Sequence, residues 1–144
     1  MRILFLSNRY PPHGQGGYEQ LCQEVAQHLV VRGHSVSVLT QRVPGGKAEC
    51  RDEGVDIIRA IEPEIEGGMV RTVAQVALGR RAGIRRSLER TSRVLAEFRP
   101  SAALVWGMWN VPREIPSAVE RELSGRVLYY LCDYWPTLPS AYVQ

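Results

Sequence analysis

Short apolar runs alternate along the chain with longer stretches in which apolar residues recur every three or four positions. Residues 2–7 (RILFLS) are an apolar run ending at a turn cluster, which predicts a buried strand. Two prolines and three glycines between Asn8 and Gly17 exclude helix and central strand. From Tyr18 a helical period begins, with Leu21, Cys22, Val25, Ala26, Leu29 and Val30 on one stripe, Glu19 in the first turn and Gly33 as the stop. Residues 35–40 (SVSVLT) predict a second strand, residues 41–54 a polar loop, and residues 55–60 (VDIIRA) a third strand. Residues 61–68 are acidic and irregular.

Residues 69–98 carry a helical pattern. Val70, Val73, Val76, Ala77, Ile84, Leu88, Val94, Leu95 and Phe98 share one arc, and Arg71, Arg81, Arg85, Arg86, Arg90 and Arg93 share the opposite one. Arg80 falls inside the apolar arc between Gly79 and Gly83, which predicts a break near 79–83 and two helices. Residues 102–107 (AALVWG) read as a fourth strand, 116–123 as a short helix closed by Gly125, and 127–132 (VLYYLC) as a fifth strand. The last twelve residues hold two prolines and no period.

Strands alternating with helices imply right-handed crossovers and an α/β fold. The expected architecture is a doubly wound, Rossmann-like parallel sheet of about five strands in the order 3-2-1-4-5, with helices on both faces. Residues 1–144 form one such domain. A composition of 44% hydrophobic and 23% charged residues excludes a disordered or fibrous chain. No run approaches the ~18 apolar residues of a membrane span. Ile3–Leu6 falls short of the ~7–15 residues of a secretory core, so a cytoplasmic location is expected. The net charge of +3 combines seventeen Arg and one Lys with twelve Glu, a mixture that argues against nucleic acid as a partner. Cys22, Cys50 and Cys132 fit neither a metal motif nor a disulfide framework.

In an open parallel sheet, ligands bind beyond the carboxyl ends of the strands at the switch point. That rule selects the loops after strands 1, 4 and 5. In the first, Gly14, Gly16 and Gly17 run straight into a helix, whose exposed N–H groups favour an anion such as a phosphate. The pattern is neither the dinucleotide fingerprint nor a P-loop, and a plain turn is the competing interpretation. Tyr10, Tyr18, Trp106, Trp109, Tyr134 and Trp135 lie in or beside these loops, as faces for a sugar ring or a lipid-like acceptor, or else as a small loop core. Asp133 could hydrogen-bond an acceptor hydroxyl or cap a turn. His13 falls within the candidate site, and no histidine has metal-ligand spacing. The arginine face of 71–93 reads first as a solvated helix surface and second as a contact for anionic lipid.

The run YPPHGQGGYEQLCQEVAQHLVVRGHSVSVLT resembles the opening of the family-four retaining glycosyltransferases of the GT-B fold. The match rests on Tyr10-Pro11-Pro12, Gly16-Gly17-Tyr18-Glu19 and Arg32-Gly33-His34-Ser35-Val36-Ser37-Val38 occurring in that order. FRPSAALVWGMWN and VLYYLCDYW resemble later strands of the same domain.

The resemblance implies the acceptor-side, N-terminal half of an enzyme that moves a sugar from a nucleotide diphosphate sugar to a hydroxyl acceptor, with retention, no metal and no further cofactor. On that basis Gly16 and Gly17 would face the donor phosphate. Tyr10, His13, Glu19, Trp109, Asn110, Asp133, Tyr134 and Trp135 would shape the acceptor site. Cys132-Asp133 stands where relatives often have His-Asp, so no catalytic residue is assigned. Glu89/Glu97 and Glu114/Glu122 have the E-x7-E spacing of the donor domain but lack its glycine-rich context. That domain is therefore expected outside these residues, and the chain alone is expected to be inactive. Membrane-associated members dock through a basic helix, which here would use Arg81, Arg85, Arg86, Arg90 and Arg93 on the inner face of a membrane. A bare sheet edge would favour a homodimer. The alternative is a flavodoxin-like, non-catalytic module that binds a phosphate-bearing ligand.

Overall fold

A computed structural model describes residues 1–14, 16–63 and 73–132, with the backbone alone for 73–78. Strand β1 (Arg2–Ser7) lies inside a six-stranded sheet. It pairs in parallel with β2 (Ser35–Gln41) on one side and with β5 (Ala102–Val105) on the other, so that Ile3 faces both Val36 and Ala102. Outside β2 comes β4 (Val55–Ile61), and outside β5 comes β6 (Val127–Tyr129), both parallel to their neighbours. These five strands stand in the expected order. The sixth, β3 (Glu49–Asp52), extends the sheet antiparallel to β4.

That sixth strand corrects the expectation of a loop across 41–54. Its residues, Glu-Cys-Arg-Asp, carry no apolar alternation. The turn creates it: Glu53 and Gly54 both have positive φ (45° and 85°) between the paired residues Asp52 and Val55. A two-residue turn of that kind matches the twist of an antiparallel ribbon. Gly54 is also sterically required, since a methyl group there would come 2.7 Å from Val30 Cγ1.

Both faces of the sheet are covered, which is why β1 reads as a continuous apolar run, while β2 alternates in sequence yet is buried from Val36 to Gln41, Ser37 and Thr40 included. Helix α1 (Gly17–Val31) covers one face, packing Cys22 and Ala26 on Phe5, Val36, Val38 and Ile57. Helices α2 (Val73–Phe98) and α3 (Glu114–Leu123) cover the other, where Leu4, Leu6, Leu39 and Val105 meet Val94, Leu95, Ile115 and Val119. Each fully buried side chain of this size contributes roughly 1.5–3 kcal/mol.

Helix α2 is continuous, which corrects the predicted break at 79–83. Two glycines cost a helix only about 1 kcal/mol each. Here Gly83 is buried, and a methyl group on it would lie 3.0 Å from Glu62 Oε2, so the residue marks a close contact rather than an end. The buried stripe runs through Gly83, Ser87, Thr91, Val94 and Leu95, with Ile84, Leu88 and Phe98 half-buried. Ser87 and Thr91 enter it because each hydroxyl has a partner: Ser87 Oγ accepts from Glu62 N (2.9 Å), and Thr91 Oγ1 donates to Ser87 O (2.8 Å). Other bounds differ slightly. Helix α3 begins at Glu114 rather than 116, β5 ends at Val105, and β6 ends at Tyr129.

Candidate functional site

The parallel strands β1, β2, β4 and β5 end at one rim, and the loops leaving them are tied together by backbone. Asn8 N donates to Gly107 O (2.7 Å), Gln41 N to Asn8 O (3.2 Å) and Arg42 N to Ile61 O (2.7 Å). Thr40 Oγ1 also donates to Asn8 O (3.2 Å). The β1–α1 loop is thus anchored at the switch point, between β1 and β5.

The glycines of this loop sit where a helix starts. Gly16 is the N-cap of α1 in extended backbone, with no side-chain cap hydrogen bond among the described residues. The first-turn N–H groups of a helix lack intrahelical partners. Glu19 folds back over the bend: a methyl group on Gly16 would come 2.5 Å from Glu19 Oε2, and one on Gly14 2.8 Å from Arg9 Cβ and 3.0 Å from Glu19 Cγ. A carboxylate there complements the positive end of the helix.

The aromatic residues of the rim form a small core. The Trp106 ring stacks on Tyr130 (4.3 Å between centroids, 18°), meets Tyr18 edge-on (6.0 Å) and lies 6.2 Å from Phe5. Trp106 Nε1 donates to Tyr18 O (2.9 Å), and Tyr18 Oη to Tyr130 O (2.7 Å). Of the two interpretations open for Tyr18 and Trp106, the packed one describes them. Tyr10 is 1% exposed and packs in the core beneath α1, where burial pushes its hydroxyl pKa up. Its ring therefore offers no surface to a ligand. Trp109 remains exposed.

On the β2/β4 side of the rim lies a cleft of about 980 Å³. Arg9 and His13 enter it from the β1–α1 loop, Gln41 and Arg42 from the end of β2, Arg59 and Glu62 from β4 and its exit, Arg86 from α2, and Asn110 from the turn after β5. Gln41 Nε2 donates to Asn110 O (2.7 Å), which fixes that turn against β2. Asn110 has φ 60°, a conformation asparagine tolerates better than most residues.

Glu62 organises the cationic groups. Arg86 donates to it from Nε (2.7 Å) and Nη2 (2.6 Å), while Arg42 and Arg90 approach within 3.9 and 4.0 Å. The Arg86 hydrogen bond holds the Glu62 carboxyl below its ordinary range, against the opposing effect of burial. Arg59 is 3% exposed and makes no ion pair among the described residues. Its Nη2 donates to Pro11 O (3.1 Å) and its Nη1 to Cys50 Sγ (3.0 Å), and its buried Nε has no hydrogen-bond partner among the described residues.

The expected residues divide accordingly. His13 and Asn110 share the cleft, Gly16, Gly17 and Glu19 form the bend beside it, and Tyr10 is in the core. Asp133, Tyr134 and Trp135 lie outside the described residues. Of the arginine face on α2, Arg81, Arg85, Arg86 and Arg93 are exposed, but Arg86 and Arg90 turn toward Glu62, and Arg85 lies 3.7 Å from Glu89. Sequence reasoning missed Arg9, Gln41, Arg42, Arg59 and Glu62, and placed Arg86 on a face for anionic lipid and not in the cleft. One signal was available: Arg59 interrupts an apolar parallel strand, where a charged side chain is buried only for a reason.

No protein-family model matches the chain, and no curated protein matches it in sequence. Among the described residues, no cluster of three or more His, Cys, Asp or Glu is placed to hold a metal ion, and no helix is long and apolar enough to cross a membrane.

Proposed function

We propose that this chain is the acceptor-side domain of a retaining glycosyltransferase, which transfers a sugar from a nucleotide diphosphate sugar to a hydroxyl acceptor. The observation that carries the proposal is the bend that carries Gly14, Gly16 and Gly17: it opens at the switch point of the parallel strands, delivers the N-terminus of α1, and adjoins a polar cleft large enough for a sugar-sized molecule.

In this scheme the N–H groups of the first turn of α1 face the donor diphosphate, where negative charge grows as the sugar departs. Glu19, folded over the bend, accepts a hydroxyl hydrogen bond from a sugar. His13 and Asn110 line the acceptor side. A second lobe would supply most of the stabilisation of the leaving group, and the work would take place in the cytoplasm, where nucleotide sugars are made available to soluble domains.

The test is a titration of the 15N-labelled chain with UDP-glucose and GDP-mannose, followed by amide shifts. Movement of the Gly16, Gly17, Tyr18 and Glu19 amides that requires both the sugar and the diphosphate supports the proposal. Movement with inorganic phosphate alone, unaffected by the sugar, favours a non-catalytic phosphate-binding module. Unmoved amides at 16–19 refute both.

A further inference from the structure

The cleft between the β1–α1 loop, the ends of β2 and β4, and α2 has an unbalanced charge. Among the described residues, four guanidinium groups, from Arg9, Arg42, Arg59 and Arg86, line it together with one carboxylate, Glu62. Glu62 is committed to Arg86 by a two-point contact and lies at the edge of ion-pair distance from Arg42. Arg59 is the least expected member. A buried guanidinium is costly to desolvate unless an anion accompanies it, and among the described residues this one has neutral partners, a proline carbonyl and a thiol. It sets a fixed positive potential in a low-dielectric wall. Arg9 and Arg42, both exposed, are long enough to close on a guest.

We propose that this cleft binds the dianionic phosphoryl group of a small phosphomonoester. A carboxylate would balance only one of the excess charges, whereas a phosphoryl group carries close to two and presents three acceptor oxygens to converging arginine forks. The cleft volume of about 980 Å³ exceeds what a phosphate ion fills, and the polar groups of His13, Gln41 and Asn110 on the same walls suit the hydroxyls of a sugar or polyol. That this phosphomonoester is the sugar acceptor rests on the glycosyltransferase proposal; that the cleft takes a phosphomonoester does not.

The experiment is isothermal titration of the whole chain, in a phosphate-free buffer, with glucose 6-phosphate, glucose, gluconate and UDP as probes. Glucose 6-phosphate is expected to bind at least ~tenfold more tightly than glucose or gluconate, as charge-assisted hydrogen bonds of this strength require. Arg9→Gln and Arg42→Gln change exposed side chains, and each is expected to weaken it roughly tenfold at unchanged melting temperature. Equal binding of glucose or gluconate, or affinity unchanged in both variants, overturns the proposal. So does tighter binding of UDP than of glucose 6-phosphate at this cleft, which would assign it to the donor. The two proposals fail separately. Glucose 6-phosphate binding with amides 16–19 indifferent to nucleotide sugars keeps the cleft and removes sugar transfer; the opposite pattern removes the cleft alone.

Discussion

Arg86 on α2 reaches across to Glu62, just past the end of β4, and grips its carboxylate through Nε at 2.7 Å and Nη2 at 2.6 Å. The contact joins helix to sheet at the rim where the candidate site lies. The Glu62 carboxyl is held below its ordinary value of 4.5, so its charge adds stability fully above that value and loses it as pH falls through the depressed one. Glu62→Gln should therefore cost about 1–2 kcal/mol at neutral pH, a figure reduced because half of Arg86 is open to water. Urea melts of both proteins from pH 7 down to pH 3 should converge in acid; a gap that stays constant with pH would contradict the assignment.

Arg59 has no counter-ion among the described residues, and so the reverse outcome is expected there. Replacing a buried, uncompensated cation by an apolar side chain of similar length removes a desolvation cost. Arg59→Met should leave stability within about 1 kcal/mol of the parent or raise it, while glucose 6-phosphate binding falls. A loss of several kcal/mol in chemical denaturation would show that the hydrogen bonds to Pro11 and Cys50 hold the fold.

Gly107 lies against the ring of Tyr18, and an added methyl group would come 2.7 Å from Cε1 and 3.0 Å from Cδ1. That ring is held by Trp106 and by the hydrogen bond to Tyr130 O, so it has little room to yield. Gly107→Ala should destabilise the protein by roughly 1–3 kcal/mol, in the manner of overpacked cores, and should shift the Trp106 fluorescence. An unchanged melting temperature and spectrum would mean that Tyr18 can move aside freely.

The cysteines should separate by reactivity. Burial pushes the Cys22 thiol up to about 12, and its side chain is fully enclosed, whereas Cys132 is exposed. The thiolate is the reactive form. Iodoacetamide at pH 8 should label Cys132 in the native protein and reach Cys22 only after unfolding, as read by peptide mass spectrometry. Native labelling of Cys22 at the rate of Cys132 would contradict its place in the core.

The parallel sheet was legible because its strands are buried on both sides: the run Ile3–Leu6 has no polar face to conceal, β2 shows itself by its β-branched alternation, and the helical stripe of α1 follows directly. Helix α2 was misjudged at Gly79 and Gly83 because local propensity was weighed without the partner that explains one of them, Glu62. Strand β3 escaped notice because its side chains are polar and its existence depends on the Glu53–Gly54 turn. The glycine bend was visible as a run of glycines before a helical period, but the folding of Glu19 over it was not.

Local patterns, then, set the order of strands and helices and the position of the rim, since each depends on residues close in the chain. The arginine cleft was decided only by tertiary structure. Arg9, Arg42, Arg59 and Arg86 come from four separate elements with no common spacing, and they meet because the sheet brings β1, β2 and β4 to one edge while α2 crosses beside them. Charge convergence of that kind is a property of distances in space, and neighbours in sequence carry no record of it.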